Sequence, residues 1–148
     1  MKRVIIESPY AANTKEGIDL NEAYAELAMH DCLVNYNESP YASHLLYTRR
    51  FVLRDNISGD RKLGIEAGFY WRNVAEKSVF YIDLGMTPGM EQGSFDCDEK
   101  EKLWEIRSLP DYLWEQLIDY CREADIPAPK RSVNNGISIS SRTDFTEV

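Results

Sequence analysis

SVFYIDLGMTPGMEQG, residues 78–93, is the stretch on which the fold turns. Its first half, SVFYIDLG (Ser78 to Gly85), is almost unbroken in apolar, β-branched and aromatic residues. A strand with one wet face alternates apolar and polar residues. A run that does not alternate belongs to a strand covered on both faces, as in parallel sheets. The second half, MTPGMEQG, sets Pro88 between turn residues and reads as a bend at which a helix begins.

Outward from this strand, the rest of the chain alternates between strand and helix patterns. RVIIE (3–7) is a β-branched strand broken by Ser8, Pro9 and Tyr10. In LNEAYAELAMHDCLV (20–34), Leu20, Ala23, Tyr24, Leu27, Ala28 and Leu33 recur at three- and four-residue steps, which predicts a helix. Asp19 is placed to cap it, with Glu22 closing a capping box. NYNESP (35–40) is a turn cluster, YASHLLYT (41–48) a second strand, and residues 49–60 a loop. RKLGIEAGFYWRNVAE (61–76) reads as a helix although Gly64 and Gly68 each cost it about 1 kcal/mol relative to alanine. Close helix packing and close approach of a ligand both explain such glycines. SFDCDEKEK (94–102) reads as a charged loop and LWEIRSL (103–109) as a strand. PDYLWEQLIDYCREADI (110–126) reads as a helix with a stripe of Leu113, Trp114, Leu117, Ile118 and Cys121.

The alternation implies one α/β domain over residues 1–126, a flavodoxin-like or Rossmann-like parallel sheet with helices on both faces. Residues 127–148, rich in Pro, Asn, Ser and Thr, read as an extension that lies on a neighbouring subunit. Ligands of such sheets bind beyond the carboxyl ends of the strands. The segments expected there are Ser8-Pro9-Tyr10, Tyr47-Thr48 and Asp83 to Glu91.

Composition narrows the function classes. At 148 residues, 43% hydrophobic and 28% charged, the chain has the make-up of an ordinary globular domain. No apolar run approaches the ~20 residues that span a bilayer, and the start MKRVIIESPY lacks the features of a signal peptide, so a cytoplasmic protein is expected. The net charge of −8 argues against a nucleic-acid polymer as partner and fits a small-molecule ligand. Cys32, Cys97 and Cys121 are widely spaced, and only His30 and His44 are available, so neither a disulfide framework nor a metal site is expected. The glycine loop has neither G-K-[ST] nor G-x-G-x-x-G, so it is no P-loop and no dinucleotide fingerprint.

Asp83 and Glu91 flank a loop containing Gly85, Thr87 and Gly89. Folded back, such a loop brings two carboxylates into one crevice. There one acts as nucleophile while the other passes a proton to the leaving group, the arrangement that breaks a glycosidic bond. The plainer alternative makes Asp83 a turn cap and Glu91 a first-turn residue favoured by the helix dipole. His44, among apolar neighbours, is either a hydrogen-bonded core histidine or a ligand contact. Tyr10 offers an aromatic face to a ligand at the end of the first strand. Arg49 and Arg50 follow the second strand, where they either reach a phosphate or sit solvated. Tyr47, Tyr70, Trp71, Tyr81 and Trp104 are expected in the core or an interface.

Gly89-Met90-Glu91-Gln92-Gly93 after an apolar strand resembles the catalytic segment of the nucleoside 2-deoxyribosyltransferases. Asn21-Glu22-Ala23-Tyr24 is similar to the stretch that follows the family's first loop, and Ser8-Pro9-Tyr10 resembles the end of its first strand. The likeness covers roughly residues 3–93. It implies a cofactor-free cleavage or transfer at the N-glycosidic bond of a nucleoside, nucleotide or related ribosyl compound. Glu91 is then the nucleophile and Asp83 the acid, with Glu66 the second candidate. Ser8, Tyr10, Asn21, Gly89 and Met90 on the matching segments, with His44, Gly85 and Thr87 from their strand and loop positions, are the residues expected to bind the substrate. The resemblance also implies a homo-oligomer in which a carboxy-terminal asparagine, Asn134 or Asn135, reaches a neighbour's site. Where the family continues with a small-residue helix, Ser94 to Lys102 is short and charged. The chain also resembles short phage and bacterial proteins sharing E-S-P-Y-A, S-H-L-L-Y-T and G-M-T-P-G-M-E-Q-G. That likeness, which would put the protein in a host cytoplasm, brings in the alternative of a non-catalytic sensor or sponge for a nucleotide-derived molecule, used in phage counter-defence.

Overall fold

A computed structural model describes residues 1–132. Four parallel strands form one sheet in the order β2-β1-β3-β4: β1 Lys2–Glu7, β2 Glu38–Tyr41, β3 Lys77–Tyr81 and β4 Leu103–Arg107. The helices are α1 Lys15–Asn35, α2 Ser43–Leu46, α3 Ser58–Arg72, α4 Pro88–Glu99 and α5 Asp111–Glu123. This is the flavodoxin-like and Rossmann-like α/β fold read from the strand pattern.

Residues 79–82 show why the run does not alternate. Val79 and Tyr81 point to one face, where they meet Tyr24, Ala28 and Cys32 of α1 and Leu113 and Leu117 of α5. Phe80 and Ile82 point to the other, where they meet Met90 and Cys97 of α4 and Trp104 of β4. Both faces are dry, so both sets of side chains are apolar. Charges that enter the core are paired, as burial demands. Arg107 lies 3.6 Å over the Tyr36 ring and donates to both Glu38 oxygens at 2.8 Å, joining β4 to the far edge strand.

Several boundaries differ from the sequence reading, each for a local reason. Helix α1 starts five residues before the expected Leu20, because Thr14 is the cap, its Oγ1 accepting from Gly17 N–H at 3.1 Å. Asp19 lies inside the helix and is held by Lys15 at 2.8 Å. The second strand is Glu38–Tyr41, not 41–48. It contains Pro40, which the sheet tolerates because β2 is an edge strand. Ser43–Leu46 is instead a short helix, so His44 projects from a helix and not a strand. Helix α3 is Ser58–Arg72, shifted towards the N-terminus from the expected 61–76. The stretch expected as a charged loop, 94–102, is largely helical: α4 runs to Glu99, burying Gly93, Ser94 and Cys97 and turning Asp96 inward to Arg72, while Asp98 and Glu99 face water. Strand β3 ends at Tyr81, and Gly85 follows in the left-handed region at φ +92°, open to glycine without strain.

Residues 131 and 132 fold back onto their own chain. Arg131 reaches Asp83, Asp111 and the Leu109 carbonyl, and Ser132 N–H donates to Asp83 O at 2.6 Å. Asn134 and Asn135 lie outside the described residues, as does most of the expected extension. No helix among the described residues is long and apolar enough to cross a membrane.

Candidate functional site

In the order β2-β1-β3-β4, the connection after β1 leaves to one side of the sheet and the connection after β2 returns to the other side of β1. The crevice beyond the carboxyl ends of β1 and β3 is therefore a topological switch point, where ligands of open α/β sheets bind. A cavity of about 320 Å³ opens there. That is the low end of small-molecule sites. Its lining comes from the end of β1 (Glu7, Ser8, Tyr10), from α2 and the following turn (His44, Tyr47, Thr48), from α3 (Arg61, Gly64, Gly68, Phe69) and from the start of α4 (Thr87 to Met90).

Of the catalytic pair and the eight substrate contacts expected from the sequence, six line this cavity: Ser8, Tyr10, His44, Thr87, Gly89 and Met90. They come together because three loops end at the same edge of the sheet. Thr87 caps α4, accepting from Met90 N–H at 3.2 Å, with Pro88 in the first turn. Ser8 Oγ and His44 Nε2 share a hydrogen bond of 2.7 Å. Burial holds the His44 imidazole neutral by lowering its pKa to about 4. Asn21 stands outside the cavity, where its Nδ2 donates to the Tyr10 carbonyl at 2.8 Å and positions that ring. Gly85 stands outside as well, in the turn after β3.

The structure does not bring Asp83 and Glu91 into one crevice. Asp83 is wholly buried, and its carboxylate accepts from Tyr24 OH at 2.6 Å, Leu109 N–H at 2.9 Å and Arg131 Nε at 2.8 Å. Those bonds use it to clamp α1, the β4–α5 turn and residue 131 together. Glu91 is exposed in the first turn of α4 and does not line the cavity. Glu66 is exposed on α3. At Gly68 of α3 the packing reading holds. A Cβ on Gly68 would meet Ser43 at 3.1 Å, so α2 packs tightly there, and Gly64 and Gly68 also line the cavity.

Three carboxylates not singled out in the sequence line the cavity, Glu7, Asp55 and Asp60; Asp55 accepts from Arg61 and Asp60 from Arg54 N–H, while Glu7 stands at the end of a sheet strand. Glu7 shares the inward face of β1 with Ile5, and its side chain is 18% exposed. Arg72 of α3, 1% exposed, donates to Glu7 Oε1, to Asp96 of α4 at 2.6 Å and to Ser78 Oγ at 3.1 Å. Burial lifts the Glu7 pKa from 4.5 to about 7 against the pull of Arg72. The available signal was its place as the last residue of an inner strand, two positions after a buried isoleucine.

Glu7 and His44 bias stability in opposite directions. Glu7 is protonated more readily when folded, so its contribution is full below pH 4.5 and is lost as pH rises towards 7. His44 resists protonation when folded, so its contribution is present above pH 6.5 and is lost as pH falls towards 4. Between these limits the two slopes oppose. Chemical denaturation from pH 4.5 to 6.5 should show His44→Gln gaining stability on acidification and Glu7→Gln losing it, each relative to the parent. Parallel profiles for all three would contradict the assignment.

Residues 2–107, the whole sheet from β1 through β4, match the family model described as a domain of unknown function (DUF7768), and the chain belongs to that family. No curated protein and no solved structure matches it.

Proposed function

We propose that this member of the DUF7768 family binds a nucleoside-type small molecule in the switch-point cavity. The observation that carries the reading is the lining itself. Tyr10 and Phe69 offer aromatic surface for a base, and Glu7, Ser8 and His44 offer hydrogen-bonding groups for sugar hydroxyls. Charge narrows the ligand. Glu7, Asp55 and Asp60 face the cavity against one guanidinium, Arg61, which is itself held by Asp55 at 2.9 Å. Arg61 is thus already paired, Arg72 is taken up by Glu7 and Asp96, and Asp60 adds a further carboxylate, so the lining disfavours a polyphosphate and favours an uncharged nucleoside over a nucleotide.

A second reading adds chemistry at the same place: cleavage or transfer at the N-glycosidic bond, in keeping with the likeness to the nucleoside 2-deoxyribosyltransferases. What favours it is a carboxyl group, Glu7, whose pKa of about 7 suits proton transfer near neutral pH. Without that step the same cavity serves a sensor or sponge. Incubation with a panel of nucleosides and nucleotides, followed by thermal denaturation and chromatography, separates the readings. Stabilisation by nucleosides over the corresponding triphosphates is expected, by RT ln(1 + [L]/Kd), and released base marks turnover. Stabilisation by triphosphates alone would overturn the nucleoside reading.

A further inference from the structure

We infer that Glu7, and not Glu91 or Asp83, is the carboxyl group that meets the ligand in this cavity and gives up the proton when a glycosidic bond breaks. The inference rests on the nucleoside reading above and assigns its working residue.

Four observations converge on Glu7. It is the last residue of β1, one of the two strands that bound the switch point, and it lines the cavity there. Its carboxylate is held from behind on one oxygen only: Arg72 donates to Oε1, and Oε2 takes no hydrogen bond among the described residues. The side chain keeps 18% of its exposure, so a ligand has access to it. Finally, α4 is cut away to admit it. A Cβ built on Gly93 would stand 3.0 Å from the Glu7 carboxyl carbon and 3.0 and 3.2 Å from its oxygens, tight enough that the carboxyl group would have to shift by a few tenths of an ångström. A helix interior gives up about 1 kcal/mol for such a glycine relative to alanine. Here the omission of a methyl group lets a carboxyl group reach the crevice. By contrast, every polar atom of the Asp83 carboxylate is engaged in a buried clamp, and Glu91 faces solvent.

Balanced, the step is a hydrolysis. The Glu7 O–H proton passes to the departing base nitrogen as the C1′–N bond breaks and its electron pair stays on that nitrogen. A water oxygen bonds to C1′ and returns its proton to the Glu7 carboxylate. Nucleoside and water become free base and free pentose. The group is then protonated again, and no cofactor enters the balance.

The test compares the parent protein with Glu7→Gln, Gly93→Ala and Glu91→Gln, each with the same nucleoside panel, reading thermal shift, affinity and released base. If the parent releases base, Glu7→Gln should lower the rate at saturating nucleoside 10²- to 10⁴-fold. Gly93→Ala keeps every charge and the Glu7–Arg72 pair but displaces the carboxyl group, and should lose rate in the same direction. This guards against a mere folding defect in Glu7→Gln. Unchanged base release in Glu7→Gln overturns the inference, and loss in Glu91→Gln alone would transfer the role to Glu91. If nucleosides bind and are recovered intact, the cleavage reading fails. Glu7→Gln must then weaken affinity at least tenfold, and equal affinity overturns the contact. If no nucleoside binds the parent, the nucleoside reading and this assignment fall together.

Discussion

Asp83→Ala should destabilise the protein by about 3–5 kcal/mol, the range for removing one partner from a buried, hydrogen-bonded charge pair. The side chain is fully buried and takes three hydrogen bonds from three separated parts of the chain: Tyr24 OH, Leu109 N–H and Arg131 Nε. Truncation leaves the hydroxyl proton of the fully buried Tyr24, whose oxygen still accepts from the residue 83 N–H at 2.9 Å, and a buried main-chain N–H without acceptors, each worth about 1–3 kcal/mol when left unsatisfied. Arg131 is 27% exposed and loses less, because water can replace its partner. Asp83→Asn keeps the shape and one acceptor oxygen and should cost roughly half as much. Urea denaturation of the two variants checks the order. An Asp83→Ala protein as stable as the parent would contradict the clamp, and one that kept its stability while losing all turnover would make Asp83 a catalytic acid.

The second large effect belongs to Arg72→Met. Arg72 is 1% exposed, sits 4.8 Å from the centre of the Phe69 ring, and holds Glu7 and Asp96 between α3, β1 and α4. Methionine fills much of the space but supplies no charge. Asp96 still has Lys100 at 3.1 Å, so Glu7 is the carboxylate left alone. Its folded-state pKa, already lifted to about 7 with Arg72 present, should rise further. A pKa raised on folding contributes stability at low pH that disappears as pH rises through the folded value. The cost of Arg72→Met should therefore be about 3–5 kcal/mol at pH 8 and clearly smaller at pH 5, where Glu7 is neutral. Denaturant midpoints at the two pH values decide it. A cost that does not change with pH would mean that Arg72 stabilises the fold by packing on Phe69 and not by neutralising Glu7.

These two arginines mark where reading along the chain stops. The parallel sheet was legible because burial on both faces leaves its mark within single segments. Val79-Phe80-Tyr81-Ile82 has no polar face, and RVIIE and LWEIR sit at the spacing that helical crossovers need. Six cavity residues were legible for the same reason, since loops that follow parallel strands open on one edge of the sheet. Local competition moved the boundaries: Thr14 won the cap from Asp19, and edge position allowed Pro40 into β2.

What the sequence by itself determined is the α/β class, the edge of the sheet where the cavity opens, and most of the loop residues around it. These follow from periodicity and chain direction, which are properties of short segments. Which carboxyl group faces the cavity was decided only by the tertiary structure. Glu7 depends on Arg72, 65 residues away, for its counter-charge and on the missing side chain of Gly93 for its space, while Asp83 is withdrawn by Tyr24, Leu109 and Arg131. The ionisation and reach of a carboxyl group are set by what surrounds it in space, and no spacing along the chain encodes those neighbours.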